Sequence, residues 1–180
     1  MTYTPENSEE IFSFEEVSDA LARLASEINS AYQSCDRELL VITLLNGGLI
    51  FSGMLLPTIN RELLCDSVSV SRYRNEKSGS DFRWHFQPVT SMKERAVLLL
   101  DDIYDQGITL SHVQQWCYQQ GAKQVNTAVL AWKQLSASSV QAVGKPDFYA
   151  LKVPDAFIVG MGMDCAGKYR NAPGIFTLNK

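Results

Sequence analysis

Two short, almost wholly apolar runs constrain the fold of this chain more than any other feature. They are Leu39-Leu40-Val41-Ile42-Thr43-Leu44-Leu45 and Ala96-Val97-Leu98-Leu99-Leu100. Runs this short without polar alternation are predicted to be strands covered on both faces. Each stops at a polar, Gly-containing turn, Asn46-Gly47-Gly48 after the first and Asp101 to Thr109 after the second. Helical periods surround them. Val17, Leu21, Leu24, Ile28 and Ala31 recur at three and four residues, and Ser13 with Glu16 makes a capping box ahead of them. A second helix is expected from Leu49 to Asn60, and a third on the face formed by Leu110, Val113 and Cys117, stopped by Gly121.

Val68 and Val70 alternate with serines, which predicts a half-exposed strand, and Asn75 to Asp81 breaks every period and is expected to be a mobile loop. Val125 to Trp132, Phe148 to Leu151 and Phe157 to Met161 supply further predicted strands, with Pro146 and Pro154 at the connections. The reading is an α/β fold: a mostly parallel central sheet flanked by helices on both sides. Nothing in the sequence suggests a repeat or a linker, so residues 1–180 are taken as one domain. In such a sheet ligands bind beyond the carboxyl ends of the strands, which directs attention to the two polar turns.

Composition removes several function classes. The 46% hydrophobic content can build a core unaided, and a formal charge of -4 leaves no basic excess for a nucleic-acid coat. The four cysteines, Cys35, Cys65, Cys117 and Cys165, form no close pair of the kind zinc sites need, and read as reduced thiols. The N-terminal segment is acidic and polar, and no apolar stretch approaches the ~18 residues of a membrane span. A cytoplasmic protein without membrane or nucleic-acid partners is expected.

The chemistry concentrates in Leu98-Leu99-Leu100-Asp101-Asp102-Ile103-Tyr104-Asp105-Gln106-Gly107-Ile108-Thr109. A turn with a Gly, successive backbone N–H groups, a Thr hydroxyl and the positive end of a helix binds phosphate. Two carboxylates beside it would repel that anion unless a cation or sugar hydroxyls stood between, so a sugar phosphate handled with a divalent metal is expected.

On these residues the chain resembles the type I phosphoribosyltransferases, and within them the hypoxanthine-guanine branch. Further blocks carry the resemblance in the family's order: Leu44 to Phe51 for the pyrophosphate loop, Lys133 after a strand, Lys145-Pro146-Asp147-Phe148, Val153 to Gly160, Asp164, and Tyr169-Arg170-Asn171. The resemblance implies a small hood over the sheet and a flexible loop, Arg72 to His85, with Tyr73 at its root. It implies that Asp101 and Asp102 hold the ribose of phosphoribosyl pyrophosphate (PRPP), and that Asp105, Gln106, Gly107, Ile108 and Thr109 cradle its 5-phosphate. Asn46, Gly47, Gly48 and Arg170 would bind pyrophosphate. Asp105 would exchange a proton at purine N7, Lys133 would reach the 6-oxo group, Phe157 would stack on the ring, and Ile158 and Asp164 would complete the purine site. Asp164, Asp101 and Asp102 would attend Mg2+. The implied reaction is purine salvage, giving IMP or GMP and pyrophosphate from hypoxanthine or guanine, by a chain that self-associates as a dimer or tetramer.

Three positions depart from the family pattern. Asn46 stands where many members carry Lys, Arg72-Tyr73 replaces Ser-Tyr, and Gln106 replaces Thr. A xanthine-preferring transferase and a non-catalytic nucleotide-sensing regulator are the rival readings. Gly160-Met161-Gly162 opens no helical period and is not read as a dinucleotide site. His85 and His112 receive no role, and Trp84, Trp116 and Trp132 are read as core or subunit contacts.

Overall fold

The two apolar runs are neighbouring parallel strands at the centre of a six-stranded sheet. The structure, a computed structural model, describes residues 3–75, 79–135 and 143–178. In chain order the elements are β1 (Ser8–Ser13), α1 (Phe14–Tyr32), β2 (Leu39–Leu44), α2 (Gly48–Leu55), β3 (Leu63–Asn75), β4 (Gly79–Phe86) and β5 (Ala96–Tyr104). They continue with α3 (Ile108–Gln119), β6 (Gln124–Gln134), β7 (Phe148–Pro154), β8 (Ile158–Val159) and β9 (Gly174–Leu178).

The large sheet has the order β4-β3-β2-β5-β6-β7, parallel throughout except for the edge strand β4. Alternation across the strands sorts the core. Leu39, Val41, Leu98 and Leu100 pack with α1 and α2 on one face, and Leu40, Ile42, Val97 and Leu99 pack with α3 on the other. Chain direction across the sheet reverses between β2, which leads to β3 on one side, and β5, which leads to β6 and β7 on the other. The loops that leave β2 and β5 therefore diverge and open a crevice at their carboxyl ends.

Ser13 caps α1 as its sequence requires. The Glu16 N–H donates to Ser13 Oγ at 3.3 Å and the Ser13 N–H donates to Glu16 Oε2 at 2.8 Å. The buried face of α1 ends on Tyr32 rather than on the expected Ala31, which is exposed. Helix α2 is shorter than expected. It ends at Leu55, and a 3-10 turn over Leu56–Thr58 replaces the last predicted turns because Pro57 lacks an N–H and restricts the residue before it.

Three larger differences from the sequence reading matter for the site. First, the expected mobile loop is in large part a β-hairpin: Ser69 to Asn75 pairs antiparallel with Phe86 back to Gly79. Its connection at 76–78 lies outside the described residues. Second, β5 runs on to Tyr104, so Asp101 and Asp102 belong to the strand and not to the turn after it. Third, β1, β9 and β8 form a separate three-stranded sheet, which is the implied hood. The predicted strand Phe157–Met161 contributes only Ile158–Val159, and to that small sheet rather than the central one.

Candidate active site

Beyond the carboxyl end of β5 lies a cavity of about 310 Å3. It is lined by Arg72, Asp101, Asp102, Ile103, Asp105, Gln106, Gly107, Ile108, Thr109 and Leu110. The chain turns from β5 into α3 through Asp105, Gln106 and Gly107, with Gly107 as the N-cap at φ 74°. A side chain is strained at that φ, and a Cβ on Gly107 would also lie 2.1 Å from the Tyr104 ring. The first intrahelical bond runs from the Ser111 N–H to the Gly107 carbonyl at 2.9 Å. The N–H groups of Ile108, Thr109 and Leu110 therefore have no intrahelical acceptor and sit at the positive end of the helix. That is an anion cradle.

Asp101 and Asp102 stand at the floor of the cavity. The Asp102 N–H donates to Asp101 Oδ1 at 2.9 Å, and the Ile103 N–H donates to Asp102 Oδ1 at 2.8 Å. Asp101 opens partly onto the cleft, yet burial, with the Asp102 charge behind it, holds its carboxyl well above the usual carboxylate range. Burial raises Asp102 as well, against hydrogen bonds from the backbone and the Arg170 charge. Two adjacent acids short of compensating charge make a place for a cation or for hydroxyl donors.

The loop after β2 abuts these acids. The Leu45–Asn46 peptide is cis, and a Cβ on Gly47 would fall 2.3 Å from Asp102 Oδ2, so only a glycine lets the backbone approach so closely. From the hood, Arg170 reaches down: its Nη2 lies 2.6 Å from Asp164 Oδ1 and its Nη1 lies 3.9 Å from Asp102 Oδ2. Nη1 also donates to the Gly162 carbonyl, and Asp164 Oδ2 accepts from the Gly167 N–H at 2.7 Å. Asp164 is thereby committed to Arg170 and to its own loop. Among the described residues no three His, Cys, Asp or Glu side chains converge as metal ligands. Asp101, Asp102 and Asp164 therefore form no all-protein cage.

On the other side of the cradle, Lys133, near the end of β6, points its Nζ at Asp105 Oδ1, 3.5 Å away. The lysine side chain is 13% exposed and the aspartate 50%. Phe157, between β7 and β8, is 52% exposed, unusual for a ring of its size, while Ile158 beside it is buried in the small sheet. Of the expected loop pair, Arg72 lines the cavity and donates to Gln106 Oε1 at 3.3 Å. The side chain of Tyr73 lies outside the described residues.

Sequence reasoning missed Tyr104. Its buried ring lies beneath Gly107 and its hydroxyl donates to the Val143 carbonyl, which braces the cradle from below. An aromatic between two acids in the signature segment was the available signal. It also treated Arg72 as a loop residue, and only the hairpin register brings that side chain to the cavity.

Comparison with known proteins agrees with this geometry. The family model for a phosphoribosyl transferase domain matches residues 7–165. The hypoxanthine-guanine phosphoribosyltransferase of Bacillus subtilis is 36% identical over 169 residues, covering 93% of this chain and 91% of that one. That of Dictyostelium discoideum is 29% identical over 176 residues, covering 96% of each. Among solved structures, the hypoxanthine phosphoribosyltransferase of Trypanosoma cruzi in complex with the product IMP superposes with a TM-score of 0.86 at 24% identity, over 98% of this chain and 97% of that one. The Staphylococcus aureus enzyme gives 0.85 at 24% identity, over 95% and 91%. At such identities the superpositions speak for the fold, and the relatives and the family model speak for descent: the chain belongs to the phosphoribosyltransferase family, in its hypoxanthine-guanine branch.

Proposed function

We propose that this chain is a purine-salvage enzyme that moves the phosphoribosyl group of PRPP to N9 of hypoxanthine or guanine, giving IMP or GMP and pyrophosphate. The observation that carries the reading is the Asp105–Lys133 pair, 3.5 Å apart at the rim of an anion cradle, with Asp101 and Asp102 on its floor. A purine presents N7 and O6 side by side on one edge. A carboxyl and an ammonium this close match that edge, Asp105 at N7 and Lys133 at O6. An ammonium has donors only, so it favours a 6-oxo over a 6-amino group. The exposed Phe157 ring is the stacking surface for the base, and Ile158 and Asp164 complete the purine site.

Breaking the bond from ribose C1 to pyrophosphate leaves positive charge on the sugar and negative charge on the leaving group. Asp101 and Asp102 bind the ribose hydroxyls and stabilise the first. Arg170 and the backbone of Asn46, Gly47 and Gly48 hold the second. Gln106, Gly107, Ile108 and Thr109 grip the 5-phosphate through N–H groups and the Thr hydroxyl. As N9 bonds to C1, the purine gives up one proton, which Asp105 accepts from N7.

Mg2+ fits this donor set. It is a hard cation usually held by one or two carboxylates together with substrate oxygens, and Asp101 and Asp102 are a buried acid pair in need of positive charge. Bound there with substrate, it would neutralise charge on the departing diphosphate. Self-association as a dimer or tetramer rests on the family resemblance, and sedimentation of the purified chain tests it. A reducing, cytoplasmic setting suits four free thiols. Among the described residues no helix is long and apolar enough to cross a membrane.

The test is pyrophosphate release from PRPP and Mg2+ with hypoxanthine, guanine, xanthine or adenine in turn. Release with the first two and not with adenine is expected. Tight nucleotide binding without base-dependent release would overturn the catalytic reading, and a dominant rate with xanthine would overturn the base assignment.

A further inference from the structure

One charged side chain at the cavity has no part in the chemistry proposed above: Arg72. Lys133 is engaged with Asp105, and Arg170 with Asp164 and Asp102. Arg72 lines the same cavity and has no carboxylate partner among the described residues; its Nη1 donates to the neutral amide oxygen of Gln106 instead. Gln106 belongs to the cradle, and its backbone is pinned there, its carbonyl accepting from the Val143 N–H at 2.8 Å. One of the five guanidinium N–H donors is thus used to aim the group, and among the described residues the others have no partner, which leaves them for a ligand.

The sequence departures fall in the same place. Gln106 brings no hydroxyl to the cradle and Asn46 no cation to the neighbouring loop. A phosphate seated there would meet helix N–H groups and the Thr109 hydroxyl, but no full positive charge, with Asp105 and the Asp101–Asp102 pair close by. Arg72 supplies that charge.

Stacked rings hold Arg72 in place. In the hairpin register Arg72 lies directly opposite Phe82, so both side chains leave the same face of the ribbon. The Phe82 ring stacks on His112 of α3, with centroids 3.8 Å apart and planes 7° from parallel. Trp84 packs on His112 at 5.5 Å and on Trp116 of α3 at 4.9 Å. The His112 Nε2 is buried without a hydrogen-bond partner among the described residues, so the ring serves here as a flat packing surface. Hairpin and phosphate-binding helix are clamped together through these rings, and the clamp carries Arg72 to the cradle.

We propose that Arg72 is a binding residue for the 5-phosphate of the phosphoribosyl group, aimed by Gln106 and positioned by the Phe82–His112 stack. This rests on the reading of the cavity as a phosphoribosyl site and adds to it a cation at the cradle where Gln106 brings no hydroxyl. His112 acts as a positioning residue.

The experiment compares IMP with inosine, which lacks the phosphate, as ligands of wild type, R72A, R72K, H112A and H112F, alongside KM for PRPP and for pyrophosphate in the reverse direction. R72A is expected to weaken IMP binding and raise KM for PRPP roughly ten- to hundredfold, as loss of a charge-assisted hydrogen bond does. Inosine affinity and the KM for pyrophosphate should stay within about twofold, and R72K should recover part of the loss. H112A should show a smaller loss of the same kind, which H112F, keeping a flat ring, restores. IMP binding by R72A within about twofold of wild type would overturn the proposal, as would equal losses for IMP and inosine, or a change confined to pyrophosphate. A wild-type protein that binds no IMP and releases no pyrophosphate would instead defeat the phosphoribosyl reading beneath it.

Discussion

Gly107→Ala tests the cradle directly. Its φ of 74° lies in the left-handed region, where a residue bearing a Cβ pays about 1 kcal/mol or more. The added methyl would also sit 2.1 Å from Tyr104 Cζ and Oη, so ring or loop must move by more than an ångström to restore ordinary contact. The ring has nowhere easy to go. Tyr104 is 4% exposed, packs in the core beside α3 and donates its hydroxyl to the Val143 carbonyl. Overpacking of this kind costs about 1–3 kcal/mol, so a total near 3 kcal/mol is expected. For a chain of this size that lowers Tm by roughly 6–12 °C. The loop that shifts is the one whose N–H groups face the phosphate, so affinity for IMP should fall while inosine binding changes less. Gly53→Ala is the control. Its Cβ would meet nothing within 4 Å, and an alanine inside α2 should stabilise by about 0.5–1 kcal/mol without touching ligand binding. Thermal melts with isothermal titration of both ligands read the outcome. A G107A protein that melts within about 2 °C of wild type and binds IMP normally would refute the account of the cradle.

Other substitutions separate roles within the site. Asp105→Asn should lower kcat about 10²–10⁴-fold with a milder change in IMP affinity, and wild-type turnover would remove the proton-exchange role. Lys133→Ala should shrink the kcat/KM preference for hypoxanthine over adenine by roughly ten- to hundredfold, and an unaltered ratio would dismiss Lys133 from base recognition. Asp101→Asn probes the buried acids through stability. Because the folded-state pKa is raised above the ordinary 3.8, the unfolded chain releases this proton first as pH rises. Stability is therefore lost as pH climbs from about 3.8 through the folded pKa, and the loss is complete above it. The variant should melt above wild type at neutral pH while binding PRPP less well, with the gain in Tm narrowing in acid; a gain independent of pH would contradict the sign.

The sequence by itself determined the chain's central architecture. Unbroken apolar runs can be satisfied only by cover on both faces, which dictates β2 and β5 inside an α/β sheet. Ser13, Glu16 and the three- and four-residue period determined α1 down to its cap. The acids at the end of β5, with the glycine and the threonine that follow, announced a phosphate site because their local chemistry requires no distant partner.

Where pairing is made across the chain, local pattern was silent. β1 and β9 hydrogen-bond across nearly the whole sequence, from Ser8 with Leu178 to Ser13 with Gly174, so neither short polar-flanked run declares itself a strand. Asn75 to Asp81 lacks any apolar period, yet much of it pairs because β3 extends past the sheet and draws β4 back along it. Only the tertiary structure could set Arg72 on Gln106, Lys133 on Asp105 and Arg170 near Asp102. Each contact joins elements far apart in the chain, and their distances follow from strand order and register rather than from any property of the residues themselves.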